Sequence, residues 1–141
     1  MKKSNNLKQL SFLIGKWHTS GRLLAENADS SSVIRGMDTY EWIAGGEFIL
    51  HTVDVFMGKE RAQVSEIIGP GKRGKKFFMT SYDNSGAVIT MNASLTAKGV
   101  LRLGDDKMRA TLFRNRDGSM TARWELFNRT WKPWMEIELR K

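Results

Sequence analysis

The chain has 141 residues, a length typical of one domain, so we expect residues 1–141 to form a single core. It contains no Cys, which excludes a disulfide framework, a thiolate metal site and a thiol nucleophile. Lys and Arg total 23 against 15 Asp and Glu, so the net charge of +8 would suit a polyanionic partner. No apolar run approaches the length of a transmembrane helix. We therefore expect an uncleaved, cytoplasmic protein that does not enter a membrane.

The hydropathy pattern predicts one short helix followed by about ten strands. The helix is expected over Ser4–Phe12, with Leu7 and Leu10 on one side. The following alternating runs end at Gly, Asn, Asp or Pro, which is typical of an all-β fold. Strands are predicted over Lys16–Leu24, Asp38–Ala44, Glu47–Met57, Glu60–Ile68, Lys75–Tyr82, Ala87–Leu95, Gly99–Leu103, Lys107–Asn115, Ser119–Phe127 and Trp134–Arg140. The Ser-rich segment Ala25–Gly36 is expected to be a flexible loop.

Three tight turns fix which residues face each other across neighbouring strands. Gly45-Gly46 joins the second and third strands, and Gly58-Lys59 joins the third and fourth. A further loop, Arg116–Gly118, joins the eighth and ninth strands, with Gly118 in the left-handed conformation. The predicted pairs include Tyr40–His51, Trp42–Ile49, His51–Glu66, Val53–Val64, Ile49–Ile68, Leu112–Ala122 and Ala110–Trp124. Most of these pairs are apolar, which supports the three hairpins.

Each predicted strand has one apolar face, and short turns connect the strands in simple succession. Closing such strands into a barrel removes the exposed sheet edges. We therefore predict a single antiparallel up-and-down β-barrel of about 8–10 strands with a short N-terminal helix. A barrel larger than about eight strands has room inside for a ligand.

Several segments resemble the calycin-like β-barrels, which include lipocalins, fatty-acid-binding proteins and nitrobindin-type barrels. Phe12–Trp17 is similar to their short helix running into Gly-x-Trp. The rest of the chain resembles the DUF1579 type of uncharacterised bacterial proteins with a lipocalin-like barrel. This similarity rests on Glu41–Leu50, Met79–Gly86 and Trp124–Arg140. The resemblance implies a ligand-binding barrel in which Gly15 and Trp17 close one end, with Arg140 as the positional candidate for the stacking Arg of lipocalins.

The resemblance also bears on cofactors. Nitrobindin-type barrels bind haem through a His near the C-terminal strands. The two His residues of this chain, His18 and His51, both lie in its first half. Haem is therefore disfavoured, and neither a cofactor nor a metal is expected.

Tyr40, His51 and Glu66 are predicted to lie side by side on a largely apolar inner face. A carboxylate beside an imidazole can share a proton, and the phenol can extend the hydrogen-bonded row. Such a row would orient the polar end of a small molecule, with Trp42 and Trp124 as further lining residues. The alternatives are a satisfied polar network without a ligand and a small acid–base enzyme of the isomerase or decarboxylase type.

Two other features carry weaker expectations. The basic cluster Lys72–Lys76 is either a solvated loop or an anion-binding interaction module, and the absence of a nucleic-acid-binding motif makes nucleic acid an unfavoured partner. Trp131 and Trp134 flank Pro133 and are expected to cover a barrel end, with Trp134 on the polar side of the last strand. The sequence indicates neither the identity of the small molecule nor the oligomeric state.

Overall fold

A computed structural model describes residues 4–24, 32–71 and 76–141 of the chain. An N-terminal 3₁₀ helix spans Ser4–Leu13, close to the predicted bounds. Ten strands follow it: β1 (Gly15–Leu23), β2 (Val33–Ile43), β3 (Phe48–Met57), β4 (Glu60–Pro70), β5 (Lys76–Asp83), β6 (Val88–Leu95), β7 (Leu101–Gly104), β8 (Met108–Arg114), β9 (Met120–Asn128) and β10 (Thr130–Arg140). The all-β prediction is confirmed.

The ten strands close into one barrel in which every strand is antiparallel to its neighbours in sequence. Closure comes from pairing between β1 and β10, which runs from His18 opposite Arg140 to Leu23 opposite Met135. The predicted up-and-down topology is therefore confirmed, and each strand has a hydrogen-bonded partner on both sides.

The predicted hairpin registers are also confirmed. Tyr40 lies opposite His51, and His51 lies opposite Glu66. The turn between β2 and β3 differs in detail, since Ala44–Gly46 forms a short 3₁₀ turn in which the Glu47 amide donates to the Ala44 carbonyl at 3.2 Å. Trp42–Ile49, Val53–Val64, Ile49–Ile68, Leu112–Ala122 and Ala110–Trp124 pair as expected.

The loop predicted over Ala25–Gly36 is too long. Residues 25–31 lie outside the described residues, but β2 already begins at Val33, and Ile34 is fully buried. The run of Ser before this point masked the start of the alternating pattern. Gly36 pairs with Val55, and a Cβ at Gly36 would approach the Asp54 carbonyl oxygen to 2.2 Å, so only glycine permits this close approach of β2 and β3.

The last strand contains a β-bulge that the alternating pattern does not reveal. The register shifts between Pro133 and Met135, which leaves Trp134 as the extra residue. Trp134 consequently faces the interior beside Met135 and meets the edge of the Trp124 ring at a centroid distance of 6.0 Å. This corrects the expectation that Trp134 lies on the polar side. Trp131 does not cover a barrel end either, since the exposed Arg109 guanidinium lies 4.1 Å from its ring centroid.

The N-terminal helix fills one end of the barrel, which we call the closed end. Leu7, Leu10 and Leu13 are at most 1% exposed and join Trp17 in the main core cluster. A 3₁₀ helix has three residues per turn, so side chains three positions apart align along one face. The leucine spacing thus suits this helix type. Among the described residues, no helix is long and apolar enough to cross a bilayer.

Candidate functional site

A cavity of about 450 Å³ occupies the interior between the helix and the opposite rim of the barrel. It extends from Leu13 at the closed end to Glu60 and Asn84 at the other, which we call the open end. Its wall is mainly apolar and includes Val55, Met79, Met91, Ala110, Trp124 and Trp134. This volume lies in the range typical of small-molecule pockets.

Away from the open end, where Glu60, Arg61 and Asp83 lie, one buried cluster of charged groups interrupts this apolar wall. The Nδ1 atom of His51 lies 2.9 Å from Oε1 of Glu66, and Nε2 lies 2.7 Å from Oδ2 of Asp38. The His51 side chain is 13% exposed, and both carboxylate side chains are similarly buried. We call these three residues the carboxylate–imidazole triad. The predicted contact between His51 and Glu66 is confirmed, whereas Asp38 is an addition.

The two hydrogen bonds of the triad need one proton more than a neutral imidazole and two ionised carboxylates contain. A neutral imidazole has one donor and one acceptor nitrogen, and an ionised carboxylate only accepts hydrogen bonds. Two hydrogen bonds to carboxylates therefore require two protons among the three groups. Wherever the second proton lies, the net charge of the triad is one negative unit.

The pKa of His51 places that proton on the imidazole at neutral pH. Burial by itself lowers this pKa, but the hydrogen bonds and charges of Asp38 and Glu66 outweigh burial and raise it from 6.5 to about 9. For Tyr40, burial and the two nearby carboxylates act in the same direction and raise its pKa well above the usual value. The site at pH 7 thus contains an imidazolium, two carboxylates and a neutral phenol.

Tyr40 contacts His51 differently from the prediction. The two rings stack with centroids 3.9 Å apart and planes 8° apart, so the phenol does not extend the hydrogen-bonded row through His51. The ring instead lies on the imidazolium face, where its π electrons attract a cation. Tyr40 is 8% exposed and lines the cavity, and its hydroxyl has no hydrogen-bond partner among the described residues.

Two buried hydroxyl groups lie beside the carboxylates. Thr19 on β1 donates to Oδ1 of Asp38, so both oxygens of Asp38 are occupied within the protein. On the other side, Ser81 on β5 pairs across the strands with Glu66. The polar row thus crosses five consecutive strands, β1 to β5, on one wall of the barrel.

The other predicted site residues are divided between the cavity and the closed end. Trp124 lines the cavity as expected. Trp42 does not line it, because it lies one rung beyond Tyr40 and packs against the core at the closed end. Gly15 and Trp17 lie where the helix enters β1, and Trp17 Nε1 donates to the Leu13 carbonyl at 2.7 Å. This bond ties the helix to the first strand.

The cation expected on Trp17 is supplied by a different residue. Arg140 faces outward and pairs with Glu138 and Asp117. Lys141 instead places its Nζ 4.7 Å from the Trp17 ring centroid and donates to the Ile14 carbonyl at 2.9 Å. The assignment of this role to Arg140 is therefore corrected by one position, because alternate residues of β10 point to opposite sides of the barrel wall.

Asp38 is the residue of the triad that the sequence analysis did not predict. The sequence predicts Asp38 as the first residue of a strand, next to a long loop, and strand ends are the positions at which an alternating pattern is hardest to recognise. It lies two residues before Tyr40 and therefore on the same face, diagonal to His51. Extending the predicted register by one inward position would have found it.

Two further points of the sequence analysis concern metal binding and the basic cluster. Within residues 4–24, 32–71 and 76–141, no group of three or more His, Asp or Glu is arranged to hold a metal ion. Residues 72–75 of the basic cluster lie outside the described residues, and Lys76 is exposed at the start of β5. The anion-binding interpretation of this segment stays a prediction.

Comparisons with known proteins do not assign the chain to a family. No family model matches the sequence, and no curated protein has significant similarity to it.

Proposed function

We propose that this protein binds a small, largely apolar molecule inside the barrel, with Tyr40 and Glu66 contacting its polar end and His51 and Asp38 holding Glu66 and Tyr40 in place. The observation that carries the proposal is the combination of a cavity of about 450 Å³ with one buried charged cluster among the described residues of its apolar wall. Apolar surface provides affinity, and a few fixed polar groups orient the ligand. The resemblance to calycin-like barrels of the DUF1579 type supports the same function.

The geometry supports binding better than acid–base catalysis by His51. A general base needs a free lone pair facing its substrate. Both ring nitrogens of His51 already contact carboxylates, and the raised pKa of about 9 keeps the imidazole protonated at pH 7. His51 therefore supports the arrangement of the two carboxylates and leaves ligand contact to Glu66 and Tyr40.

The proposal can be tested with a neutral fluorescent probe, N-phenyl-1-naphthylamine, and a variant that fills the cavity. Ala110 is 3% exposed and lines the cavity. Ala110→Phe should weaken probe binding at least tenfold, because the added ring occupies the space that the probe needs. The neighbouring Thr111 points to the other side of the sheet, so Thr111→Phe is the matched control and should bind like wild type.

Thermal unfolding of each variant reports whether Ala110→Phe keeps the barrel intact, since overpacking can cost about 1–3 kcal/mol. Ala122→Leu is a milder second filling variant on β9 that also faces the cavity. Native mass spectrometry of protein purified from its own host then looks for a retained small molecule. If neither wild type nor Thr111→Phe binds the probe, or if all variants bind it equally, the proposed function is wrong.

A further inference from the structure

The polar end of the cavity differs in charge from the rest of the protein. The chain has a formal net charge of +8, yet among the described residues that line the cavity the only Lys or Arg is Arg61. Arg61, which lies at the rim, faces outward and makes a bidentate contact with Asp54 at 2.9 and 2.8 Å. The positive charge of Arg61 is therefore kept on the outer face, and the charge in the buried part of the cavity is that of the triad.

The triad leaves one unit of negative charge in a largely apolar chamber. Two carboxylates face a single imidazolium, and Asp38 and Glu66 are 8% and 7% exposed. A buried charge without a counter-ion loses hydration, and this cost is removed when an opposite charge binds beside it. At the open end, Glu60 and Asp83 add two carboxylates to the lining, whereas the guanidinium of Arg61 is paired with Asp54.

The hydrogen-bonding positions that the cluster leaves open to a ligand can accept hydrogen bonds. Both oxygens of Asp38 are occupied within the protein, and Oε1 of Glu66 contacts His51. The Oε2 atom of Glu66 has no partner among the described residues, and neither has the hydroxyl of the buried Tyr40. A carboxylate oxygen only accepts hydrogen bonds, and a phenol oxygen can accept as well. These two open positions suit a ligand that donates.

From these observations we infer that the cavity selects a ligand with a protonated amine or a similar nitrogen cation at its polar end, attached to an apolar body. The ammonium group donates to Oε2 of Glu66 and to the Tyr40 hydroxyl and neutralises the triad. The apolar body extends along Val55, Met79 and Trp124. An anionic amphiphile of the same shape is rejected by the triad. This inference rests on the proposed function and specifies its ligand class.

Three probes with the same chain and different head groups separate the possibilities: octylamine, 1-octanol and octanoate at pH 7. Each is titrated against the complex with N-phenyl-1-naphthylamine, and displacement of the probe is measured. Octylamine, which is protonated at this pH, should bind at least tenfold more tightly than 1-octanol. Octanoate should bind more weakly than 1-octanol, because its carboxylate faces those of the triad.

Matched variants show whether the triad causes this order. Glu66→Gln removes the surplus negative charge and keeps the side-chain shape, so the preference for octylamine over 1-octanol should fall below threefold. Glu125→Gln changes the total charge by the same amount on the outer face, where Glu125 pairs with Arg109, and should keep the preference. Asp38→Asn is a second variant with the same expected result as Glu66→Gln, should Glu66→Gln fail to fold.

The outcomes distinguish this inference from the proposed function. If wild type binds the three compounds alike or prefers octanoate, the ligand class is wrong while small-molecule binding stands. An equal loss of preference in Glu125→Gln and Glu66→Gln would attribute the selectivity to overall charge and would also overturn the inference. If neither N-phenyl-1-naphthylamine nor any of the three compounds binds, the proposed function fails as well.

Discussion

The interior of the barrel is filled at one end and hollow towards the other. At the closed end, side chains of the helix and the strand ends pack against each other, and Leu7, Leu10, Ile49 and Ile68 are fully buried. Towards the open end, the wall residues instead face a cavity of about 450 Å³. One end is therefore filled by packed side chains, while the other has room for a ligand.

The largest expected effect comes from removing packing at the closed end. Leu10→Ala should lower the free energy of unfolding by about 2–5 kcal/mol, because Leu10 is fully buried in the main core cluster. The matched change is Leu103→Ala, since Leu103 is half-buried and lines the cavity. It should cost clearly less, because it already lacks neighbours on the cavity side. Urea denaturation measures both, and equal losses would contradict the division between the two ends.

The strand pairings on which this comparison depends were partly predictable. The turns Gly45-Gly46 and Gly58-Lys59 are short, so counting outward from them fixed Tyr40, His51 and Glu66 on one inner face. The pairing of β1 with β2 spans a long connection, and no count across it could place Thr19 beside Asp38. Long-range pairing of this kind depends on barrel closure rather than on local sequence.

Two further features differ from the prediction, and the first of them breaks the alternating period. The bulge before Met135 turns Trp134 inward. One inserted residue shifts the alternation, so a count of every second residue assigns the wrong side beyond it. The cation on Trp17 is the terminal Lys141 rather than Arg140, a difference of one residue that decides between the two sides of the barrel wall. Patterns give the faces of regular strands, whereas irregular positions require the structure.

The second prediction concerns the charged cluster that lies between the two ends. His51 has a pKa near 9 in the folded protein and an ordinary value of 6.5, so its proton stabilises the fold fully below pH 6.5. This contribution, on the order of 3 kcal/mol, is lost as the pH rises through about 9. The titratable groups that face the imidazole are Asp38 and Tyr40 on β2 and Glu66 on β4.

Unfolding free energies of wild type and His51→Gln between pH 6 and 9.5 test this dependence. Wild type should lose stability across the range, and the variant should show a smaller slope because it lacks the titrating imidazole. His18 is exposed on β1, so His18→Gln is the control and should keep the wild-type slope. Equal slopes for wild type and His51→Gln would mean that the triad does not hold the additional proton in the folded state.

The smallest expected effect lies at the C-terminal contact that secures the helix over the closed end. Lys141→Met removes the ammonium from the Trp17 ring and from the Ile14 carbonyl, and it should cost about 0.5–1 kcal/mol, as for cation–π contacts at exposed sites. Lys98→Met removes an exposed Lys between β6 and β7 and controls for the change in net charge. Because Lys141 acts at the closed end, binding of N-phenyl-1-naphthylamine should be unchanged in Lys141→Met. A loss of probe binding with little loss of stability would show that the two ends are coupled and that the helix end helps to shape the cavity.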